Sequence, residues 1–222
     1  MTKPLIHISK LEGKLEGFRA ISSNTVTNSF CIKQNKVTLE NWICSICYSH
    51  SSLNGFRKNA QPALQRNSDI LSKSIIPMEY LPLLMDAFIR FNAHGELDLD
   101  KTKATINLEN YVNIAIKNPH CTFSLWSKRF DIIKPFFDKH EKPKNLILIY
   151  STPLTNHILN KVPKYFDKTF NTVKGDLHKN QQNCTGQKCK DCLLCYKKDT
   201  TTIIVEKVKT YGKKKLKAKL NK

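Results

Sequence analysis

The centre of the chain alternates between short apolar runs and longer amphipathic ones, and this alternation restricts the fold more than any other feature. Met85 to Asn92 reads as the end of a helix followed by a strand, Phe88-Ile-Arg-Phe-Asn92. From Asn107 to Asn118, Leu108, Tyr111, Val112, Ile114 and Ala115 recur at helical spacing, and Pro119 then stops the helix. Cys121 to Trp126 is short, β-branched and aromatic, which predicts a strand, and Phe130 to Asp138 has the period of another helix. After a linker from Glu141 to Asn145, Leu146-Ile-Leu-Ile-Tyr150 predicts a strand buried on both faces. Further on, Thr200 to Val205 predicts one more strand. Such an order predicts the α/β class: a partial (βα) barrel or an open mostly parallel sheet, with a C-terminal cysteine-rich metal-bound segment. In either architecture the working residues lie at the C-terminal ends of the strands.

A chain of 222 residues, 40% of them hydrophobic, can bury one sizeable core and carry a small appended module. The expected division is an α/β core with an N-terminal cysteine group over 1–177, a cysteine-rich segment and strand over 178–205, and a lysine-rich tail over 206–222. The first residues lack the apolar core of a secretory signal, and Leu146 to Tyr150 is too short to span a bilayer. The expectation is a soluble cytoplasmic protein with no membrane partner; the sequence sets no oligomeric state. In a reducing compartment clustered cysteines serve metals better than disulfides.

The cysteines form two groups. Cys184, Cys189, Cys192 and Cys195 fall within twelve residues, and their last three are each separated by two residues. Thiolates are soft ligands, and that spacing lets neighbours meet one ion across a tight turn. Four thiolates close a site without help, as a structural zinc or a [4Fe–4S] cluster, and the consecutive two-residue spacings favour iron. Upstream, Cys31 joins the pair Cys44 and Cys47. Three thiolates can hold three irons of a [4Fe–4S] cluster and leave the fourth open, or complete a zinc tetrahedron with a histidine. A single site shared by Cys44, Cys47 and two late cysteines is also compatible with the sequence. Cys121, inside a predicted strand, reads as a small buried hydrophobe.

Two polar segments follow predicted strands. Gly95 and Glu96 offer backbone groups and a carboxylate to a ligand such as a cofactor's amino group, and Ser127 with Lys128 could meet a carboxylate or phosphate. The net charge of +19 points to an acidic partner such as nucleic acid. Lysine supplies most of it, so contacts would go mainly to phosphates, through Lys213, Lys214, Lys215, Lys217 and Lys219 of the tail. Neither a Gly-x-Ser-x-Gly elbow nor a phosphate-binding loop occurs, which leaves serine hydrolases and P-loop enzymes without support.

Together, Cys44-x-x-Cys47-Tyr48, Arg90-Phe-Asn-x-His-Gly95-Glu96-Leu97, Thr122-Phe-Ser-Leu-Trp-Ser127-Lys128 and the four late cysteines resemble the cysteine-rich phage proteins of the gene product 88 family. The likeness spans about Cys31 to Tyr211, and a phage origin would place the protein in the host cytoplasm. The chain departs from the family pattern at Asn92, His94 and Glu96, where a histidine, a serine and an aspartate are usual. The layout is also similar to radical S-adenosylmethionine enzymes. That resemblance implies a cluster on Cys31, Cys44 and Cys47, S-adenosylmethionine bound at the open iron, and Gly95 and Glu96 in contact with its amino group, with nucleic acid or a nucleotide as substrate. The chain departs here too, since twelve residues separate Cys31 from Cys44 and Tyr48 follows the last cysteine. The competing reading is a zinc-stabilised, non-enzymatic nucleic-acid-binding protein.

Overall fold

The computed structural model describes residues 5–208. Its centre is an open seven-stranded sheet whose strands lie in sequence order: β1 (Ser9–Lys10), β2 (Arg19–Ile21), β3 (Phe88–Phe91), β4 (Thr122–Ser127), β5 (Leu146–Thr155), β6 (Lys168–Val173) and β7 (Ile203–Lys207). Only β1 runs antiparallel to its neighbour; every pair from β2 to β7 is parallel. The alternation read from the sequence thus yields the open, mostly parallel sheet. The helices are α1 (Ser29–Asn35), α2 (Tyr48–Leu53), α3 (Gln61–Lys73), α4 (Lys101–Lys117), α5 (Phe130–Phe137) and α6 (Cys189–Cys192).

Side chains alternate between the two faces of each strand. Ile89, Phe91, Phe123, Leu125, Leu146 and Leu148 join one core with Leu71 of α3, Leu108, Tyr111 and Ile114 of α4, and Ile132, Ile133 and Phe136 of α5. Cys121 is fully buried in this core, as its setting suggested. The other face carries Ala20 and Phe88 in one cluster and Ile147, Ile149, Phe170 and Ile204 in another. Among the described residues no long helix covers it; Cys184, Cys189, Leu193, Cys195 and Tyr196 of the cysteine-rich segment do.

Several expected elements differ. The helix expected from Asn107 starts at Lys101, because the Asp100 side chain accepts from Lys103 N at 3.0 Å and caps it earlier. No helix ends at Met85. Residues 81–87 have no regular structure and are held by distant groups: Asn118 Oδ1 accepts from Leu84 N at 2.8 Å and its Nδ2 donates to Pro82 O at 3.1 Å, while Lys117 Nζ donates to Leu81 O at 2.9 Å. β5 runs past Tyr150 to Thr155, with an irregular register against β6. The last strand begins at Ile203, not Thr200, since Thr200 Oγ1 and Thr201 O are turned aside to accept from the buried Lys168 ammonium at 2.7 and 2.8 Å. The helix α3 has no counterpart among the expected elements.

Candidate functional site

The connection after β2 builds one wall of the site. Ser22, Ser23, Asn24 and Thr25 are all buried as the chain leaves the strand. Asn28 then caps α1: its Oδ1 accepts from Cys31 N at 2.9 Å while its Nδ2 donates to Glu96 O at 2.8 Å, so one side chain ties the first cysteine to the connection after β3. Cys44 lies in a 3-10 turn, Ile43–Ile46, and Cys47 caps α2. Thr155 N donates to Asn41 O at 2.7 Å, which anchors this loop to the end of β5.

The connection after β3 turns sharply through two left-handed residues, Asn92 (φ 56°) and Gly95 (φ 81°). Gly95 N donates to Thr25 Oγ1 at 2.7 Å, and Ser49 Oγ bonds His94 Nδ1 at 2.7 Å. The turn drives Glu96 inward. Its Oε1 accepts from Ser127 Oγ at 2.7 Å and Leu97 N at 2.9 Å, and its Oε2 from Lys128 N at 2.8 Å. Burial raises the Glu96 pKa, opposed by the Lys128 ammonium and these donors. Ser127 is itself fully buried and serves Glu96 rather than opening to a ligand. Arg129, nearly fully buried, ties the same corner together by pairing with Asp131 at 2.8 Å and stacking over Phe30 at 5.0 Å.

Cys31, Cys44, Cys47, Gly95, Glu96 and Lys128 all line one small cavity of about 100 Å³. Burial pushes up the thiol pKa values of Cys31 and Cys44, and Lys128 pulls both back. The ammonium in turn stays raised: burial lowers it, but Cys44, Glu96, Cys47 and Cys31 outweigh that cost. Such a cation beside thiols favours the thiolates that a metal requires. In chemistry the donors suit a metal–thiolate centre. Among the described residues no three His, Cys, Asp or Glu side chains form a metal-binding group.

The late cysteines lie on the far side of a larger adjoining cleft of about 660 Å³, which Cys44, Cys47, Cys184, Cys189 and Cys195 all line. Asn183 and Cys184 run beside β7, both donating from their backbone N–H to Val205 O, so the segment begins by covering the open edge of the sheet. Lys14 Nζ donates to Cys184 at 3.3 Å and pairs with Glu206. Burial raises the pKa values of Cys184, Cys189 and Cys195, the last to about 12. All eight cysteines are free thiols. The cysteines that act on Cys31 and Cys44 are those of the early group, and those that act on the late thiols are of the late group. The tail lysines Lys213, Lys214, Lys215, Lys217 and Lys219 lie outside the described residues.

Sequence reasoning met Arg90 and Trp126 only inside longer motifs and gave neither them nor Tyr196 a role, yet all three line the larger cleft. The Arg90 guanidinium stacks over Trp126 at 4.2 Å. The signal was present: both residues occupy strand positions that alternate with core residues, and an arginine there on a sheet covered from both sides requires a partner.

Fold and site define a class: an α/β protein with an open, sequentially ordered sheet, a small cysteine-lined cavity in the loops that follow β2, β3 and β4, and a larger cysteine-lined cleft over one face. The family described as gene product 88 matches residues 10–198, and the chain belongs to that family. No curated protein and no solved structure matches the chain significantly. Among the described residues no helix is long and apolar enough to cross a membrane.

Proposed function

We propose that Cys31, Cys44 and Cys47 hold a [4Fe–4S] cluster and that the chain is an iron–sulfur protein of the radical S-adenosylmethionine type, its sheet serving as a partial barrel. Convergence carries this reading. Three thiols from the connection after β2, Gly95 and Glu96 from that after β3, and Lys128 from that after β4 line one cavity. Consecutive parallel strands in sequence order are what a partial barrel needs, and the ends where these groups meet are where such folds place ligands. When bound, the cluster supplies one-electron chemistry at the iron that three protein thiols leave open. The chain's own part is to offset with Lys128 some of the burial that raises the thiol pKa values, and to fix Glu96 through Ser127 and the Lys128 backbone, so that its remaining lone pairs can accept from a cofactor ammonium.

The four late cysteines form a second, saturated centre of iron or zinc that pins their segment to the sheet. A second reading, a zinc-stabilised nucleic-acid-binding protein, draws on the net charge of +19. One experiment separates the two. Untagged protein purified without oxygen is assayed for iron, acid-labile sulfide, zinc and visible absorption, then for reductive cleavage of S-adenosylmethionine. The expected result is brown, iron- and sulfide-containing protein, with Cys47→Ala losing part of the iron and all cleavage. Colourless protein carrying only zinc overturns the iron–sulfur reading.

A further inference from the structure

The larger cleft contains more hydrogen-bonding capacity than the protein uses. Arg90, Trp126, Tyr196 and Thr172 all line it, and Arg90 Nε, Trp126 Nε1, Tyr196 OH and Thr172 Oγ1 are buried behind that lining with no hydrogen-bond partner among the described residues. Tyr196 is 5% and Thr172 8% exposed, so these hydroxyls belong to a built interior and not to a wet rim. Burial raises the Tyr196 pKa to about 12, opposed by Arg90 and by the nearby Ser124 hydroxyl, yet the two oxygens do not reach hydrogen-bond geometry. Buried polar groups are normally satisfied, so a cluster left open within one cavity marks a place for a ligand.

The chemistry of the cluster selects that ligand. Arginine and indole nitrogens can only donate, and two hydroxyls beside them can do the same, so the complement is rich in acceptors. The complement is also negative. Among the cleft's other cations, Lys14 is paired with Glu206, Arg57 with Glu12 and Lys207 with Asp176, and Lys128 donates to Ser151 Oγ at 2.9 Å and is held by Glu96 and the early thiols, whereas Arg90 has no carboxylate partner among the described residues. Stacked on Trp126, its guanidinium keeps its in-plane donors for a planar or tetrahedral oxyanion. Leu11, Leu15, Ile43 and Ile46 make another part of the lining apolar, which suits a ring or aliphatic body.

We infer that this cleft binds a small organic anion, its phosphate or carboxylate held by Arg90, Trp126, Thr172 and Tyr196 and its apolar body set against the leucines and isoleucines. The inference stands on these side chains and not on any cluster at Cys31. It nevertheless places the ligand beside Cys44 and Cys47, which line both cavities.

Calorimetric titration of the full chain tests it with adenosine monophosphate, phenylacetate and inorganic phosphate, each organic anion being matched by its neutral counterpart, adenosine or phenylacetamide. At least one organic anion should bind about tenfold or more tightly than its counterpart, with Arg90→Met abolishing that preference. Preference for adenosine monophosphate assigns a phosphate ligand, and preference for phenylacetate a carboxylate. Tyr196→Phe and Thr172→Val each remove a single oxygen contact with almost no change of shape, so they decide the matter if Arg90→Met does not fold; each should weaken the anion by about threefold or more. Failure of every anion to bind in the millimolar range, equal binding of the neutral compounds, or full affinity in both Tyr196→Phe and Thr172→Val would overturn the inference and leave the cleft to water.

Discussion

At Gly95 two constraints coincide. Its φ of 81° disfavours any side chain, and a Cβ there would stand 2.0 Å from Ser23 Oγ and 2.8 Å from Ser23 O. Gly95→Ala should therefore lower stability by about 2–4 kcal/mol in a denaturant titration, combining left-handed strain with the displacement of a buried loop. Its neighbour His94 makes a pH prediction. Burial, with Arg57 and Arg90 adding repulsion, lowers its pKa from 6.5 to about 4. Between those values the unfolded chain binds the proton and the folded one does not, so stability falls as pH drops through the window, by at most about 1.4 kcal/mol per pH unit from this residue. Urea midpoints measured from about pH 7 to about 4.5 should show a shallower decline in His94→Gln; identical slopes would mean that the imidazole titrates freely. Gly95, Glu96 and Lys128 were legible in the sequence as polar residues beyond predicted strands. Glu96's engagement with Ser127 was not, because those residues are far apart in the chain and only the parallel pairing of β3 with β4 sets their loops side by side.

Among the elements, α4 shows how much local sequence can fix. Its apolar spacing identified the buried face, and Leu108, Tyr111, Ile114 and Ala115 are indeed fully buried. Asp100 sets its start, and Asp100→Ala should cost about 1 kcal/mol in thermal or chemical unfolding, with amide exchange rising first in the opening turn of the helix. Where a segment's hydrogen bonds come from distant side chains, periodicity misleads. The stretch 81–87 is irregular because Asn118, Lys117 and His120 bond its backbone groups, and β7 begins late because Lys168 claims Thr200 and Thr201. Lys168 is fully buried, which lysine seldom is without partners such as these.

At the scale of the whole molecule, the cysteine-rich segment acts as the second layer over the sheet. Phe18 stacks on Tyr196 with ring centroids 4.9 Å apart and lies 5.8 Å from Phe88, joining β2, β3 and the segment in one aromatic cluster. Phe18→Ala should cost about 3 kcal/mol and, in limited proteolysis, expose residues 178–196 to cleavage before the sheet is cut. Cleavage no faster than in the parent would show that the segment does not depend on this contact. By itself the sequence determined the α/β class, the strands β3 to β5, the helices between them and the grouping of the cysteines. These follow from local periodicity and ligand spacing, which a chain carries without reference to its fold. Only the tertiary structure decided which groups face one another. Pairing β2, β3 and β4 in parallel set Cys31, Cys44 and Cys47 against Glu96 and Lys128, and folding the late cysteines back over the sheet enclosed Arg90 and Trp126 in a cleft. Both outcomes depend on contacts between residues distant in sequence, established by burying the second face of the sheet, and no local pattern encodes them.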